Sequence, residues 1–363
     1  MQSVQEKPPQ QSNSIPSATK TLHYLATGLM KWQEQDRKKR ISIPPALRIG
    51  MSQMYLLSLV KGKKPVPHDL PEFLDLAKKP LGEWFPCKEI KYLNENATLI
   101  EDGDVSEFAQ EWGVEGSNTK MEIEQKAVEE ALKECREKQL HEPYRAFRRM
   151  IIEHPVISYS EYNTKLFKEL RDLNKESLDK IYKDLNVLTA EEECHLCPRC
   201  GYYQRKRSDN SYRCYNDTCQ ELRVKQKLGE GKTIKAEGYK AVTPGVHRFV
   251  TLPGIWEIQL YEELKKLGAG ITLWPNIDEY DLRVEFKSDV TWAIDVKDWC
   301  YLNEERLHKV QYIHDAKQTF VVFPDEREKD LRIKGRRREL HKELKEVRLK
   351  LMSEIIGEAQ KNC

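Results

Sequence analysis

The sequence lacks the long apolar runs of a membrane protein. Its longest apolar stretch, MYLLSLV over Met54–Val60, falls far short of the roughly 20 residues a helix needs to cross a bilayer. It also lacks a decisive net charge: 61 Lys and Arg stand against 59 Asp and Glu, a formal +2, so no global basic signature marks a nucleic-acid binder. No internal repeat appears. The opening MQSVQEKPPQQSNSIPS has no apolar signal core, and residues 1–20 are expected to form a disordered lead. Cysteine is sparse outside one stretch. Of nine in the chain, five lie between Cys194 and Cys219, an odd and clustered set that argues against a disulfide framework. It points instead to a metal site in a reducing, cytoplasmic setting. What is present is a polar chain of 363 residues, 39% hydrophobic and 33% charged, long enough for two or three domains with separate cores.

Apolar periodicity organises the first half. Leu22, Leu25, Leu29 and Trp32 recur at helical spacing, and the Pro44–Pro45 break precedes a second helix through Met54–Val60. GKKPVP turns the chain before a short helix around Phe73–Ala77, whereas Pro80 to Asn118 shows no clear period. Residues 21–118 thus read as a helical N-terminal region. Thr119-x-x-Glu122 is a capping box that opens a charged helix to about Leu140. Pro143 can open the next, PYRAFRRMIIEH, which must stop before Pro155. Two more helical patterns cover Ser160–Leu173 and Lys175–Leu185, the latter with Leu178, Ile181, Tyr182 and Leu185 on one face. Residues 119–193 would suit a winged helix-turn-helix or an ordinary packed bundle.

The stretch CHLCPRCGYYQRKRSDNSYRCYNDTC contains Cys197-x2-Cys200 and Cys214-x4-Cys219. Thiolates so spaced converge on one tetrahedral zinc, because a tight turn brings both sulfurs to one side. Gly201 tolerates the positive φ such a turn needs. Cys194 and His195 are spare ligands, since Cys194 also stands x2 from Cys197. The CPRCG knuckle and its second pair resemble a zinc ribbon over 194–235. Four thiolates close the site, which argues against catalytic zinc. Between Cys194 and Lys235 ten Lys and Arg face four Asp and Glu, and Arg205, Lys206, Arg207 and Arg213 are the candidate nucleic-acid contacts. The competing reading is a purely structural staple with a solvated basic face.

Downstream, WAIDVKDW over Trp292–Trp299 places two charges inside an apolar run. Residues two apart share a strand face, so Ile294 and Val296 face a core while Asp295 and Lys297 share the other side. Charge in such a strand is paired or bound to something. Acid-x-Lys alone is nearly worthless: Glu89-x-Lys91, Glu124-x-Lys126, Glu263-x-Lys265, Glu285-x-Lys287 and Asp315-x-Lys317 also occur. The surroundings distinguish this one. Leu260, Leu264 and Leu267 stripe a preceding helix that carries Glu257 and ends at Gly268 and Gly270. A strand near Ile271–Trp274 follows, then DLRVEF begins at Asp281 and turns around Lys287–Asp289 into WAIDVKDW. A helix over Asn303–Lys317 and the strand TFVVF complete the order.

This arrangement resembles the PD-(D/E)XK nuclease superfamily. The resemblance implies a mixed-sheet α/β domain over 236–330 in which Asp281 and Asp295 bind Mg²⁺ or Mn²⁺, Lys297 is the catalytic lysine, and Glu257 is the helix acid completing the site. Pro275 lies six residues before Asp281, with Asn276 on the approach, a departure from the usual pattern. His308 and His314 read as ordinary helix-surface residues. A helical N-terminal half, a zinc ribbon and this C-terminal domain together resemble the restriction-endonuclease-type proteins associated with prokaryotic PIWI-like (PIWI-RE) defence modules. That resemblance implies DNA as target, with an Argonaute/PIWI-like protein and an XPD-type helicase as partners.

Finally, Leu340, Leu344, Val347, Leu351 and Ile355 read as one stripe on a basic helix over 331–363, where Glu326 to Cys363 holds twelve Lys and Arg against eight Asp and Glu. Such a stripe wants the protein's own core, another subunit or a second copy in a homodimer. The sequence thus describes an α+β multidomain endonuclease. Its rivals are an inactive nuclease-fold scaffold that binds DNA and a zinc-ribbon adaptor that recruits protein.

Overall fold

The computed structural model describes residues 15–35, 42–62, 64, 66–207, 209–302, 304–344 and 346–362. Of the lead expected over 1–20, residues 1–14 lie outside the described residues, and the first helix has already begun at Ala18. The chain divides into two compact units, the first ending at Gly113 and the second starting at Val114.

The first unit is helical. Helices α1 (Ala18–Glu34) and α2 (Pro45–Val60) pack together, with Leu22, Leu25, Leu29, Leu47, Met54 and Leu57 buried. Pro45 occupies the first turn of α2, where its missing N–H costs nothing. Helices α3 (Leu70–Ala77) and α4 (Leu81–Trp84) follow. The span without a clear period then holds a two-stranded hairpin, β1 (Ile100–Glu101) and β2 (Asp104–Val105), and helix α5 (Glu107–Gly113) against α1.

The second unit opens at the expected cap. Thr119 accepts the N–H of Glu122, starting α6 (Lys120–Glu137), and α7 (His141–Glu153) stops before Pro155. Strand β3 (Val156–Ser158) precedes α8 (Tyr159–Lys168) and α9 (Lys175–Ile181), and β4 (Tyr182–Asp184) leads to the short α10 (Leu185–Leu188). A cysteine-rich insertion follows: β5 (Glu193–His195), β6 (Arg205–Lys206), β7 (Tyr212–Arg213), α11 (Asp217–Lys225) and β8 (Thr233–Lys235). Strand β9 (Tyr239–Val242) then inserts antiparallel between β3 and β4.

After α12 (Pro244–Val246) and a π-helical turn over 247–251, α13 (Leu252–Lys266) leads into a five-stranded mixed sheet. It comprises β10 (Gly270–Leu273), β11 (Leu282–Glu285), β12 (Thr291–Val296), β13 (Gln318–Phe323) and β14 (Val347–Leu351), in that order. Pairs β10–β11 and β11–β12 are antiparallel, β12–β13 and β13–β14 parallel. Between β10 and β11 lies the turn α14 (Pro275–Asp278), in which Asn276 and Ile277 are not helical. Helices α15 (Glu304–His308), α16 (Glu328–Leu331) and α17 (Ile333–Leu344) fill the later crossovers, and α18 (Met352–Ala359) closes the chain. Trp292, Ile294 and Val296 face the main core with Leu260, Leu264 and Ile355 of α13 and α18.

Two sequence expectations are corrected here. The tail over 331–363 is not one long helix: Val347 and Leu351 belong to β14, which pairs parallel with β13. Val347-Arg-Leu-Lys-Leu351 alternates apolar and charged, a period of two that buries Val347, Leu349 and Leu351 against the sheet. The helix expected over Asn303–Lys317 shrinks to Glu304–His308; Asn303 lies outside the described residues, and His314 stands in a turn beyond that helix.

Candidate active site and metal centre

The cysteine cluster forms as its spacing predicts. Gly201 takes φ +69° and donates its N–H to the Cys197 carbonyl at 2.9 Å, closing the knuckle. Asn216 caps α11 by accepting the N–H of Cys219 at 2.6 Å, which aims that thiol inward. The sulfurs of Cys197, Cys200, Cys214 and Cys219 are buried and all lie within 4.8 Å of one another. Cys197–Cys219 and Cys200–Cys214 are each 3.7 Å apart. Tetrahedral zinc with bonds of about 2.3 Å sets its sulfurs about 3.8 Å apart, so the cage fits that ion. Arg199 Nη1 donates to Cys219 Sγ at 3.4 Å, as outer-shell groups do around thiolate sites. Cys194 and His195 stand outside: Cys194 faces the Glu191 carbonyl, and His195 meets Thr233 Oγ1 and the Tyr212 ring.

The four candidate nucleic-acid contacts share the β6–β7 hairpin, whose register pairs Arg205 with Arg213 and Lys206 with Tyr212. Arg205 lies over the Tyr215 ring, and Arg213 Nη2 bonds Asp217 Oδ1 at 2.6 Å. Lys206 is exposed.

In the C-terminal sheet, β11 and β12 pair Leu282 with Ile294. One step outward, the same register sets Asp281 opposite Asp295, a like-charge pair that a sheet tolerates only with compensation. Asp281 Oδ2 accepts the Val296 N–H at 2.6 Å, and Lys297 Nζ lies 3.0 Å from Asp295 Oδ2. Just past the lysine, Asp298 Oδ1 is held by Arg327 Nε at 2.6 Å in a fully buried pair. Beside Asp295 opens a cleft of about 530 Å³, lined among others by Arg136, Asn276, Tyr280, Lys309 and Thr319.

Electrostatics mark the place. Burial, reinforced by Glu257, Asp295 and Asp278, pushes the Asp281 carboxyl well above the usual range, with Lys297 pulling the other way. Burial opposes the charge on Lys297, but Asp295, Asp281 and Glu257 outweigh it and hold its ammonium above the lysine norm. Glu257, Asp278, Asp281 and Asp295 outnumber Arg148 and Lys297 among the groups that act on one another here. The hard carboxylate oxygens of Asp281 and Asp295 suit a divalent cation such as Mg²⁺ or Mn²⁺.

Glu257, the helix acid, lies on α13 near enough to Asp281 to act on its charge. It is buried, but Arg148 Nη2 donates to its Oε1 at 2.9 Å and Trp274 Nε1 to its Oε2 at 2.7 Å. Among the described residues the four cysteines are the one set of three or more metal-capable side chains that closes within 4.8 Å; the three acids do not. Arg148 was not singled out in the sequence, where its signal was a charge on the apolar stripe of α7 between Tyr144 and Ile151–Ile152. Gly254 explains the meeting, since a Cβ there would collide with the Ile152 side chain. This close crossing of α7 and α13 brings Arg148, one turn before Ile152, to Glu257, one turn after Gly254. The turn between β10 and β11 is strained: Trp274, Asn276, Ile277 and Asp278 all have positive φ, each costing on the order of 1–3 kcal/mol and typical of functional loops.

Residues 254–363 match the family model described as REase associating with pPIWI_RE, and residues 21–158 match the one described as pPIWI_RE three-gene island domain Y. No curated protein and no solved structure matches the chain. Among the described residues no helix is long and apolar enough to cross a membrane.

Proposed function

Because the chain carries a pPIWI_RE-associated REase domain at its C-terminal end, we propose that it is a divalent-metal-dependent endonuclease that hydrolyses DNA phosphodiester bonds, in a restriction-type defence role. The observation that carries the reading is Asp281 opposite Asp295 across β11 and β12, with Lys297 bonded to Asp295. Asp281 and Asp295 would hold the cation, which when bound supplies a polarised water and positive charge beside the phosphate. Lys297 stands one residue past the end of β12, fixed by its own N–H to the Val322 carbonyl at 2.8 Å. Its ammonium keeps its proton and so orients the attacking water and offsets the negative transition state. Glu257, ion-paired with Arg148, stands beside Asp281 as the helix acid of the site.

The upstream half supports DNA as the partner. Helix α7, strand β3, helices α8 and α9, and strands β4 and β9 run in the order of a winged helix, with the sheet ordered β3-β9-β4. The zinc ribbon is inserted between the last two strands, where a wing would be. It offers Arg205, Lys206, Arg207 and Arg213 to phosphates, and its zinc is structural. A PIWI-like protein encoded in the same island is the partner that the two family descriptions suggest.

The test incubates full-length protein with supercoiled and single-stranded DNA under EDTA, Mg²⁺ or Mn²⁺, beside Asp295→Ala and Lys297→Ala. Metal-dependent cutting by wild type, lost in both folded variants, is the expected result. Cutting that survives both substitutions sinks this site. DNA binding without cutting by any of the three, with or without the PIWI-like partner, favours an inactive nuclease-fold scaffold.

A further inference from the structure

Arg148 belongs to α7, more than a hundred residues before the segment that matches the REase family, yet its guanidinium is buried against the acid cluster. It takes one Glu257 oxygen at 2.9 Å while Trp274 Nε1 takes the other at 2.7 Å, so that carboxylate has no freedom to rotate. Helices α6 and α7 together grip the strained turn leading to Asp281. Arg136 Nε donates to the Ile277 carbonyl at 3.0 Å and Nη2 to that of Asp278 at 2.7 Å. The Tyr144 hydroxyl donates to Asp278 Oδ2, and Arg145 Nε to the Leu273 carbonyl at 3.2 Å. Left-handed residues in a row persist only where the surroundings over-determine them, and here the surroundings are α6 and α7.

We propose that Arg148 is a positioning residue for a divalent-cation site at Asp281 and Asp295, fixing Glu257 and, with Tyr144, the turn that sets Asp281, from outside the domain that carries the acids. The inference rests on reading those two aspartates as cation ligands. Arg148 touches neither aspartate, so its influence runs through Glu257, which it shares with Trp274 of the turn and which acts on the Asp281 charge. Losing a direct partner of a ligand typically weakens metal binding about 10–100-fold, and this indirect route belongs at the low end. A purely structural ion pair would brace α7 on α13 and leave metal affinity untouched.

The experiment measures Mn²⁺ binding to the full chain by calorimetry and electron paramagnetic resonance, with thermal melts in parallel. It compares wild type, Asp295→Asn, Arg148→Gln, Arg148→Lys and Tyr144→Phe. Expected are a Mn²⁺ site lost in Asp295→Asn, affinity about tenfold or more weaker in Arg148→Gln, and partial rescue in Arg148→Lys. A folded Arg148→Gln that binds Mn²⁺ like wild type overturns the role of Arg148 and leaves the acid-pair reading standing. Mn²⁺ uptake unchanged by Asp295→Asn overturns both. Should Arg148→Gln fail to fold, wild-type affinity in both Arg148→Lys and Tyr144→Phe overturns the proposal.

Discussion

The carboxylate of Asp281 accepts the backbone N–H of Val296 at 2.6 Å, so the acid at the start of one strand is tied to the residue lying between Asp295 and Lys297 on the next. That bond holds the Asp281 carboxylate beside the Asp295–Lys297 segment.

That tie confines a carboxylate where its charge is unwelcome. A carboxyl whose folded pKa is raised holds its proton more tightly folded than unfolded. The stability it contributes is present at low pH and is lost as pH climbs from the ordinary aspartate range towards the folded value. Burial and the neighbouring acids raise Asp281 in this way. Metal-free protein should therefore melt at falling temperature as pH rises through that window. Asp281→Asn should melt above wild type at neutral pH, and Mg²⁺ should narrow the gap. Equal melting of both metal-free proteins across the window would show that Asp281 is not destabilising.

One zinc per chain is expected, held by Cys197, Cys200, Cys214 and Cys219. Cys200→Ser should lose it. Since zinc binding is folding free energy for so small a module, protease cleavage within 194–235 should accelerate. Elemental analysis and limited proteolysis check this; full zinc in Cys200→Ser would move the site to another set of ligands.

If the β6–β7 hairpin touches phosphates, Lys206→Ala and Arg207→Ala should each weaken DNA binding about equally for unrelated sequences. Each should also reduce the slope of log affinity against log salt by about 1. Titrations at several salt concentrations decide it, and an unchanged slope would leave the hairpin solvated and idle.

The strand assignment of the tail has its own test. Leu349 is fully buried on β14, whereas a single helix with the stripe Leu340–Ile355 would leave it outside. Leu349→Ala should cost about 2–5 kcal/mol in chemical denaturation. A cost within experimental error would return the tail to a surface helix.

What could be read in the sequence was whatever repeats over short distances. Two-residue alternation in WAIDVKDW identified β12 and the shared face of Asp295 and Lys297, and the paired cysteines with Gly201 specified the knuckle. The same reasoning failed for Val347–Leu351, because Leu340, Leu344, Val347 and Leu351 match a helical spacing as well as the end of one helix and a following strand. Only a vacant edge beside β13 decides between those two, and that edge is made by residues far away in the chain.

Local pattern by itself determined an α+β protein with a four-cysteine cage and an acid–lysine strand, because hydrogen bonding and side-chain direction within a strand or knuckle depend on neighbours a few residues off. Tertiary structure alone decided that Asp281 faces Asp295, that Cys194 stands apart from the cage, and that Glu257 is gripped by Arg148, 109 residues away. Those outcomes follow from strand register and from the crossing of α7 and α13 at Gly254, where the absence of one Cβ allows two helices close enough for a buried ion pair. Register is encoded at no single position, and Gly254 permits the crossing without naming its partner helix.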